Sequence, residues 1–504
     1  MSLAKKLFRG TSLSVLDHVV KSVALFVTTP LIVRGLGQEG YGQWLLGMSI
    51  LGYLLMLDLG MSLGVSRFLS TSIGAKDLER QAAVLAVSQR FYRRVGAIVA
   101  AGSLIAGPLT VFILGWNAHS WELMITVAIC GMTLALKFRY RLPGLMLRSH
   151  VRYDLLSIAS IVRVAVQACA VSFAMWHQSS VLAVGLIQAC SDLLELGMQS
   201  WWSRDLRSQI RPVMASLNTG LFNELKQKVS AYSRDSMLSS LGDTLRYQIG
   251  SVVLGSIRGA SEVAVYSTGL RLIMMYVDFN LAAFGGGMLM VFGQMHGAGD
   301  EEGTLNQFRR LTKIAAGFAG WAMGGIVLLG QPFLHRWLGA GFDDSFHTLL
   351  ILALPFAFLA MQFPAYNLLS AKGHQRYLMW ISCIGGICTT LCSIPAGMIG
   401  GVHGIAYVLG TEILLTVVIF IPWLLKKCLG IQPLSYFTST VLLPAMKALV
   451  LPVLVAWFMR GWRVPDYGAL FVVGCAYTLA FILPSPWLLL DAAGRQTLRR
   501  AIGR

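Results

Sequence analysis

Long apolar runs recur along the whole sequence, from about residue 13 to residue 489. A helix needs about 20 apolar residues to cross the hydrocarbon core of a bilayer, and these runs reach that length. Lipid offers no hydrogen-bond partner to peptide groups, so such runs predict helices rather than the shorter, alternating strands of a barrel. The pattern therefore predicts an all-α polytopic membrane protein with about 14 transmembrane helices.

The composition agrees with this prediction. Of the 504 residues, 56% are hydrophobic and only 13% are charged, whereas soluble proteins have about 25% charged residues. We place the predicted spans approximately at 13–35, 42–69, 95–114, 121–142, 153–176, 180–201, 231–256, 262–292, 311–330, 345–368, 377–399, 402–425, 436–459 and 467–489.

Three short motifs occur twice in the same order, at an offset of roughly 220 residues. The pairs are Leu57-Asp58-Leu59 with Val277-Asp278-Phe279, Phe91-Tyr92-Arg93-Arg94 with Phe308-Arg309-Arg310, and His150-Val151-Arg152-Tyr153 with His374-Gln375-Arg376-Tyr377. Six spans per repeat is an even number, so both halves share one orientation, and transporters built in this way bind substrate between their halves. We therefore predict two parallel six-helix lobes around a central cavity.

The repeat divides the chain into four predicted parts. They are an N-terminal six-helix lobe (1–202), a cytoplasmic amphipathic linker (203–230), a C-terminal six-helix lobe (231–427) and a terminal helix pair with a basic tail (428–504). Apolar residues recur in the linker at helical spacing: Val213, Leu217, Leu221, Leu225 and Val229. They predict a helix that either lies on the inner leaflet or packs on the other loops.

The formal net charge is +18, and most of the 41 lysines and arginines lie near the ends of the spans or between them. With both termini in the cytoplasm, most of these residues fall on the inner side, which is the positive-inside bias. The sequence therefore predicts an inner-membrane protein with cytoplasmic termini, in contact with membrane lipids. No folded nucleic-acid-binding module has room between the spans, so no nucleic-acid partner is expected.

Charged side chains inside the spans are candidate site residues, because each costs about 2.5–3.5 kcal/mol and usually faces a cavity or a partner. We select Asp17, Lys21, Asp58, Arg163, Asp243, Arg246, Arg271, Asp278 and Lys447. The pairs at positions 17 and 21, 243 and 246, and 271 and 278 each share one helix face. Alternatively, the closely spaced pairs are ion pairs that serve packing only, and Arg163 and Lys447 snorkel or pair with another helix.

Three arginines lie near the end of the predicted span 121–142: Arg139, Arg141 and Arg148. They would line a cytoplasmic mouth of the cavity if the helix continued past residue 142. Pro143-Gly144 is typical of a break at this point. Ordinary positive-inside loop charge is the alternative, and the sequence leaves both open.

The sequence shows no cluster of residues typical of a catalytic or metal site. Cys388 and Cys392 share a helix face, but no histidine or carboxylate nearby completes a metal set. We also find no nucleophile–base set and no Walker motif. We therefore expect neither an enzyme nor a cofactor or metal ion.

Four short motifs occur at characteristic places in the predicted topology: Gly40-Tyr41-Gly42, Leu57-Asp58-Leu59-Gly60, Ala264-Val265-Tyr266-Ser267 and Trp337-Leu338-Gly339. Their order and spacing resemble those of bacterial polysaccharide flippases, in the polysaccharide transport branch of the multidrug, oligosaccharidyl-lipid and polysaccharide exporter superfamily. The resemblance implies transfer of undecaprenyl-diphosphate-linked oligosaccharide across the inner membrane by alternating access, for O-antigen, capsule or exopolysaccharide synthesis. It also implies other polysaccharide assembly proteins as partners.

The resemblance gives roles to the selected charges. Basic groups replace the hydration of a diphosphate, and the residues predicted to do so in the cavity are Lys21, Arg246, Arg271, Arg163 and Lys447. The predicted coupling or hinge acids are Asp17, Asp58, Asp243 and Asp278. In related lipid II flippases, arginines on the first, second and eighth spans line the cavity. The second span here has no basic residue before Arg67, which argues against lipid II as cargo.

Two other functions remain open at this point. A multidrug or cation antiporter of the same superfamily would need a net acidic cavity, whereas the selected charges are slightly more basic than acidic. A membrane glycosyltransferase or polymerase would need a sizeable outer loop, and the largest predicted one, about 331–344, is short. For a flippase, the expected driving force is the inside-negative membrane potential. It supplies about 2.3 kcal/mol per 100 mV for each negative charge that moves outward, with or without ion exchange at Asp58 or Asp278.

Overall fold

The structure is a computed structural model that describes residues 3–58, 60–114, 120–150, 152–177, 180–215, 218–297, 300–458 and 466–484. Every regular element in these ranges is helical, and they contain no β-strand. Eight of the helices in these ranges are long and apolar enough to cross a membrane. The chain is therefore an all-α polytopic membrane protein, as the sequence predicts. The number of about 14 spans stays a prediction.

The helices follow one another with short connections. The first part of the chain contains α1 (Leu3–Leu55), α2 (Met61–Gly74), α3 (Leu78–Leu114), α4 (Ser120–Arg139), α5 (Leu142–Ser149), α6 (Tyr153–Trp176), α7 (Val181–Trp202), α8 (Arg204–Ala215) and α9 (Thr219–Ile257). The rest contains α10 (Ala260–Gly297), α11 (Glu301–Leu338), α12 (Asp343–Met361), α13 (Phe363–Ala371), α14 (Gln375–Leu415), α15 (Ile421–Leu429), α16 (Pro433–Ser435), α17 (Leu443–Phe458) and α18 (Tyr467–Ile482). Two π-helical turns, Thr416–Phe420 and Tyr436–Leu442, precede α15 and α17.

Two glycines bend helices that the sequence predicts as separate spans. Gly37 in α1 has φ 71° and Gly401 in α14 has φ 54°, values that side chains with a Cβ rarely adopt. Each of these helices is therefore two segments joined by a kink. The predicted span 42–69 is divided again, because Gly60 at φ 66° separates α1 and a 3-10 turn from α2.

The predicted span 121–142 ends earlier than expected. Helix α4 stops at Arg139, and the short helix α5 begins at Leu142 with Pro143 in its first turn. Proline is tolerated there because the first turn has no intrahelical use for its missing N–H. The helix therefore does not continue past residue 142, which was the condition for Arg139, Arg141 and Arg148 to line a cytoplasmic mouth together.

The predicted linker 203–230 is not a single helix. It contains α8 and the beginning of α9, and the Asn218 side chain caps α9 by accepting a hydrogen bond of 2.8 Å from the backbone N–H of Gly220. Leu225 and Val229 are buried in a hydrophobic core cluster, against which Val213 and Leu221 also pack. The apolar face of the linker thus packs on neighbouring helices of the first unit rather than on loops. Leu217 lies outside the described residues.

Contacts divide the chain into two compact units. The first comprises Met1–Ala264 with Ser382–Thr390, and the second comprises Val265–Ile381 with Leu391–Arg504. Helix α9 belongs to the first unit, together with the segment of α14 on which it packs. At this contact Gly242 and Gly386 face each other so closely that a Cβ on either would overlap backbone atoms of the other helix. The division into two six-helix lobes stays a prediction.

Each unit has its own hydrophobic core. The cluster of the first unit includes Tyr92 and Val229, both with no exposed surface. The cluster of the second unit includes Phe308 and Tyr436, whose rings stack with centroids 5.6 Å apart. These cores fix the helices that carry the charged residues described next.

Candidate functional site

The first predicted pair of charges lies in α1. The Lys21 ammonium group donates to the Asp17 carboxylate at 2.7 Å, one helical turn away. The Asp17 side chain is mostly buried, whereas that of Lys21 is 41% exposed. The spacing correctly predicts the ion pair, and the role of Lys21 in substrate binding stays a prediction.

Asp58 lies where the chain breaks between α1 and α2. Its Oδ1 atom accepts hydrogen bonds from the Ser62 hydroxyl and the Tyr92 hydroxyl, both at 2.8 Å. Arg141 also reaches the Ser62 hydroxyl, at 3.4 Å. Asp58 therefore ties the start of α2 to α3, and its predicted coupling or hinge role stays a prediction.

The second predicted pair lies in α9. Arg246 is 3.3 Å from Asp243, and its side chain is only 7% exposed. Such a buried guanidinium needs compensating partners, since an uncompensated buried charge is strongly destabilising. The spacing again correctly predicts the contact between the two residues.

Arg163 in α6 belongs to a larger group of charges. Its guanidinium lies 3.6 Å from Asp192 and 3.3 Å from Glu195, both in α7. Lys137 near the end of α4 lies 3.1 Å from Asp192 and 3.7 Å from Glu195. We call Lys137, Arg163, Asp192 and Glu195 the charge network. It balances two cations with two carboxylates across three helices, and Arg163 therefore pairs with another helix, as one alternative predicts.

Glutamines extend the charge network along α6 and α7. Arg163 donates to Gln167 at 3.0 Å, Gln167 to Gln188 at 2.6 Å, and Gln188 to Asp192 at 3.0 Å. Gln199 donates to Glu195 at 3.1 Å. Because amides both donate and accept, this chain orients the carboxylates without adding charge.

A cleft opens beside the charge network in the first unit. Its volume is about 180 Å³, and its lining residues are Lys137, Tyr140, Arg141, Gly144, Leu145, Arg148, Leu156, Glu195, Leu196 and Gln199. Three of these are cations and one is a carboxylate, so we call it the basic cleft. An anionic group is the ligand that such a lining favours, particularly one that guanidinium groups grip with two hydrogen bonds.

The three arginines predicted to line a cytoplasmic mouth lie in two different environments. Arg141 immediately precedes α5 and Arg148 lies in its last turn, and both line the basic cleft. Arg139 is exposed and is not part of the lining.

The predicted residues of the second unit are all on its surface. Arg271 and Asp278 in α10 are exposed, and so is Lys447 in α17. The assignment of Arg271 and Lys447 to a cavity stays a prediction, and so does the coupling or hinge role of Asp278.

Sequence reasoning missed three of the four members of the charge network and much of the basic cleft. Asp192 and Glu195 lie three residues apart inside the predicted span 180–201 and share one face of α7. This spacing in an apolar helix was the signal that would have identified them. The position of Lys137 near the end of a predicted span is typical of positive-inside charge, although its ammonium group donates to Asp192 at 3.1 Å.

The comparison with known families identifies the class of protein. The model of the polysaccharide biosynthesis protein family matches residues 7–288, which is more than half of the chain. The chain belongs to this family. A second model, MatE, matches residues 236–399 of this polysaccharide biosynthesis protein.

One curated relative and two solved structures add detail. The relative is the succinoglycan biosynthesis transport protein ExoT of Rhizobium meliloti (strain 1021), which is 22% identical over 393 residues, or 77% of this chain and 74% of ExoT. The lipid II flippase MurJ in an inward closed conformation has a TM-score of 0.70 at 10% identity, covering 98% of this chain and 99% of MurJ. An inward-facing multidrug resistance MATE family transporter of the MOP superfamily has a TM-score of 0.68 at 14% identity, covering 81% and 93%. The likeness to both structures establishes the fold of this polysaccharide biosynthesis protein.

Proposed function

We propose that this polysaccharide biosynthesis protein flips undecaprenyl-diphosphate-linked oligosaccharide across the bacterial inner membrane by alternating access. The flipped lipid supplies the synthesis of a surface polysaccharide. Both termini lie in the cytoplasm, and the protein works beside other polysaccharide assembly proteins. No bond in the cargo is made or broken, so the protein is a transporter and not an enzyme.

The observation that carries the proposal is the basic cleft. A lipid-linked sugar has an anionic diphosphate head that cannot enter hydrocarbon without partners that replace its water. Arg141 and Arg148 supply guanidinium groups to the lining of a cleft within a membrane protein. Hydroxyl and amide groups of Tyr140 and Gln199 lie on the same lining, where they suit the hydroxyl groups of a sugar.

The charge network gives the cleft a stable wall. Lys137 and Glu195 belong to both the network and the lining. Because Glu195 is already paired with Lys137 and Arg163, it does not repel a phosphate as an unpaired carboxylate would. Arg141 and Arg148 carry positive charge that the network does not neutralise.

A second candidate function is export of cationic drugs, which the MatE match and the two membrane carboxylates Asp192 and Glu195 favour. A cationic drug needs an acidic site. In the charge network both carboxylates are balanced by Lys137 and Arg163. The remaining charge of the cleft therefore favours an anionic substrate.

A deletion strain of the source bacterium tests the proposal. We expect it to lose surface polysaccharide and to accumulate the complete lipid-linked repeat on the inner leaflet. The deletion strain is then complemented with the wild type or with the double variant Arg141→Ala/Arg148→Ala. Loss of two charge-assisted hydrogen bonds, each worth about 1.5–3 kcal/mol, predicts at least about a tenfold fall in polymer with the double variant.

The matched control is Arg309→Ala, which removes an exposed arginine of α11 far along the chain from the cleft. It is expected to restore polymer to the wild-type level. A deletion strain that keeps its polymer and becomes sensitive to cationic drugs would instead support the antiporter.

A further inference from the structure

Two histidines and one aspartate come together in the second unit. The ligand atoms of Asp344, His347 and His403 all lie within 4.8 Å of one another. Asp344 and His347 are in the first turn and a half of α12, and three residues of separation puts them on one helix face. His403 lies two residues after Gly401, where α14 is kinked. The cluster thus joins two helices, and its histidines at positions 347 and 403 are 56 residues apart in sequence.

His403 has an unsatisfied ring nitrogen. Its Nε2 atom is shielded from solvent and has no hydrogen-bond partner within the described parts of the chain. Leaving such a group unsatisfied costs about 1–3 kcal/mol. A bound metal ion would supply the missing partner, because neutral imidazole nitrogen is a common metal ligand.

The distances come close to those that one tetrahedral ion requires. The ring centroids of His347 and His403 are 5.8 Å apart, with an interplanar angle of 85°, and two imidazoles on one zinc ion place their centroids about 5–6 Å apart. Zinc bonds of about 2.1 Å at tetrahedral angles put ligand atoms about 3.4 Å from each other. Nδ1 of His347 already lies 3.6 Å from Oδ1 of Asp344. Both of these side chains are exposed and free to make the small rotation that closes the site.

We propose that Asp344, His347 and His403 bind one Zn²⁺ ion that joins the beginning of α12 to α14 beyond its kink. Two imidazoles and one carboxylate suit zinc, whereas calcium and magnesium prefer oxygen ligands throughout. The fourth position is available to water. The ion ties the segment of α14 after Gly401 to the beginning of α12. The site does not depend on the proposed transport function, since none of its ligands takes part in the basic cleft.

Zinc titration of the purified full-length chain tests the proposal. The exposed cysteines are first blocked with N-ethylmaleimide, because thiolates also bind zinc. Calorimetry is expected to show one tight zinc site per chain, and His347→Ala and His403→Ala should each weaken it by at least about tenfold. His347 is exposed, so its replacement should leave the fold unchanged.

The matched control is His335→Ala. Its imidazole lies 3.1 Å from Asp343, next to the proposed site but outside the ligand set. It should bind zinc as tightly as the wild type. Equal zinc affinity in all four proteins would overturn the proposal, as would equal binding of Mg²⁺ or Ca²⁺. Zinc should also raise the melting temperature of the wild type and not that of His347→Ala.

Discussion

At the scale of single residues, the charge network shows how an apolar bundle tolerates ionised groups. The Asp192 and Glu195 side chains are 15% and 18% exposed, and Arg163 is 18% exposed. A charge in such surroundings loses much of its hydration, and only close partners of opposite sign offset this loss. The stability of each member therefore depends on the others.

We predict that Arg163→Ala destabilises the protein by about 3–5 kcal/mol, because it leaves two carboxylates with only Lys137 as a counter-charge. Thermal unfolding in detergent measures the change. The double variant Arg163→Ala/Glu195→Gln should recover part of the loss, since it removes the excess negative charge. Arg271→Ala, which removes an exposed arginine of α10, is the control and should melt like the wild type. Purely additive effects of the two network substitutions would contradict coupling between them.

The sequence predicts contacts within a helix better than contacts between helices. The pairs Asp17–Lys21 and Asp243–Arg246 follow from spacing alone, and the structure contains both. The partners in the charge network are far apart in sequence, for example 55 residues between Lys137 and Asp192. Their meeting depends on how α4, α6 and α7 pack, and no local pattern encodes that packing.

At the scale of helices, glycine and proline decide where apolar runs are interrupted. Hydrophobicity alone predicts where helices lie, but it does not distinguish a loop from a kink. The kinks at Gly37 and Gly401 and the break before Pro143 arise from backbone conformation, so the predicted ends of spans 13–35, 121–142 and 377–399 differ from the observed helices. The helical class of the fold was predictable because the apolar runs are long enough to cross a bilayer. Inside the bilayer their peptide groups find no water and must hydrogen-bond within the helix.

Two glycines of α14 make a matched pair for testing helix packing. A Cβ at Gly386 would overlap backbone atoms of α9, whereas a Cβ at Gly400 would meet nothing within 4 Å. Gly386→Ala should therefore destabilise the protein by about 1–3 kcal/mol through overpacking. Gly400→Ala should be neutral or slightly stabilising, by up to about 1 kcal/mol, because alanine favours the helix.

The midpoints of thermal or denaturant unfolding in detergent compare these two variants. If Gly386→Ala is as stable as Gly400→Ala, the close approach of α9 and α14 is not present in the folded protein.

At the scale of the whole molecule, the proposed cargo explains why a protein this apolar retains a basic cleft. The family match is to polysaccharide biosynthesis proteins, and the sign of charge in the cleft favours an anionic lipid over a cationic drug. The sequence predicts the class through its motifs and apolar runs. It offers Arg141 and Arg148 as candidates for a cavity mouth, but it does not predict the rest of the cleft, whose lining comes from α4, α5, α6 and α7 together.

Flipping in proteoliposomes tests the central claim most directly. The purified protein is reconstituted with a fluorescent undecaprenyl-diphosphate-linked oligosaccharide, and a membrane-impermeant quencher reports how much of it reaches the outer leaflet. We predict that protein-containing vesicles transfer the lipid far faster than empty vesicles. Transfer should be faster still when the potential drives anions toward the quencher, and Arg141→Ala/Arg148→Ala should abolish most of it. Transfer no faster than in empty vesicles, under any potential, would contradict the account.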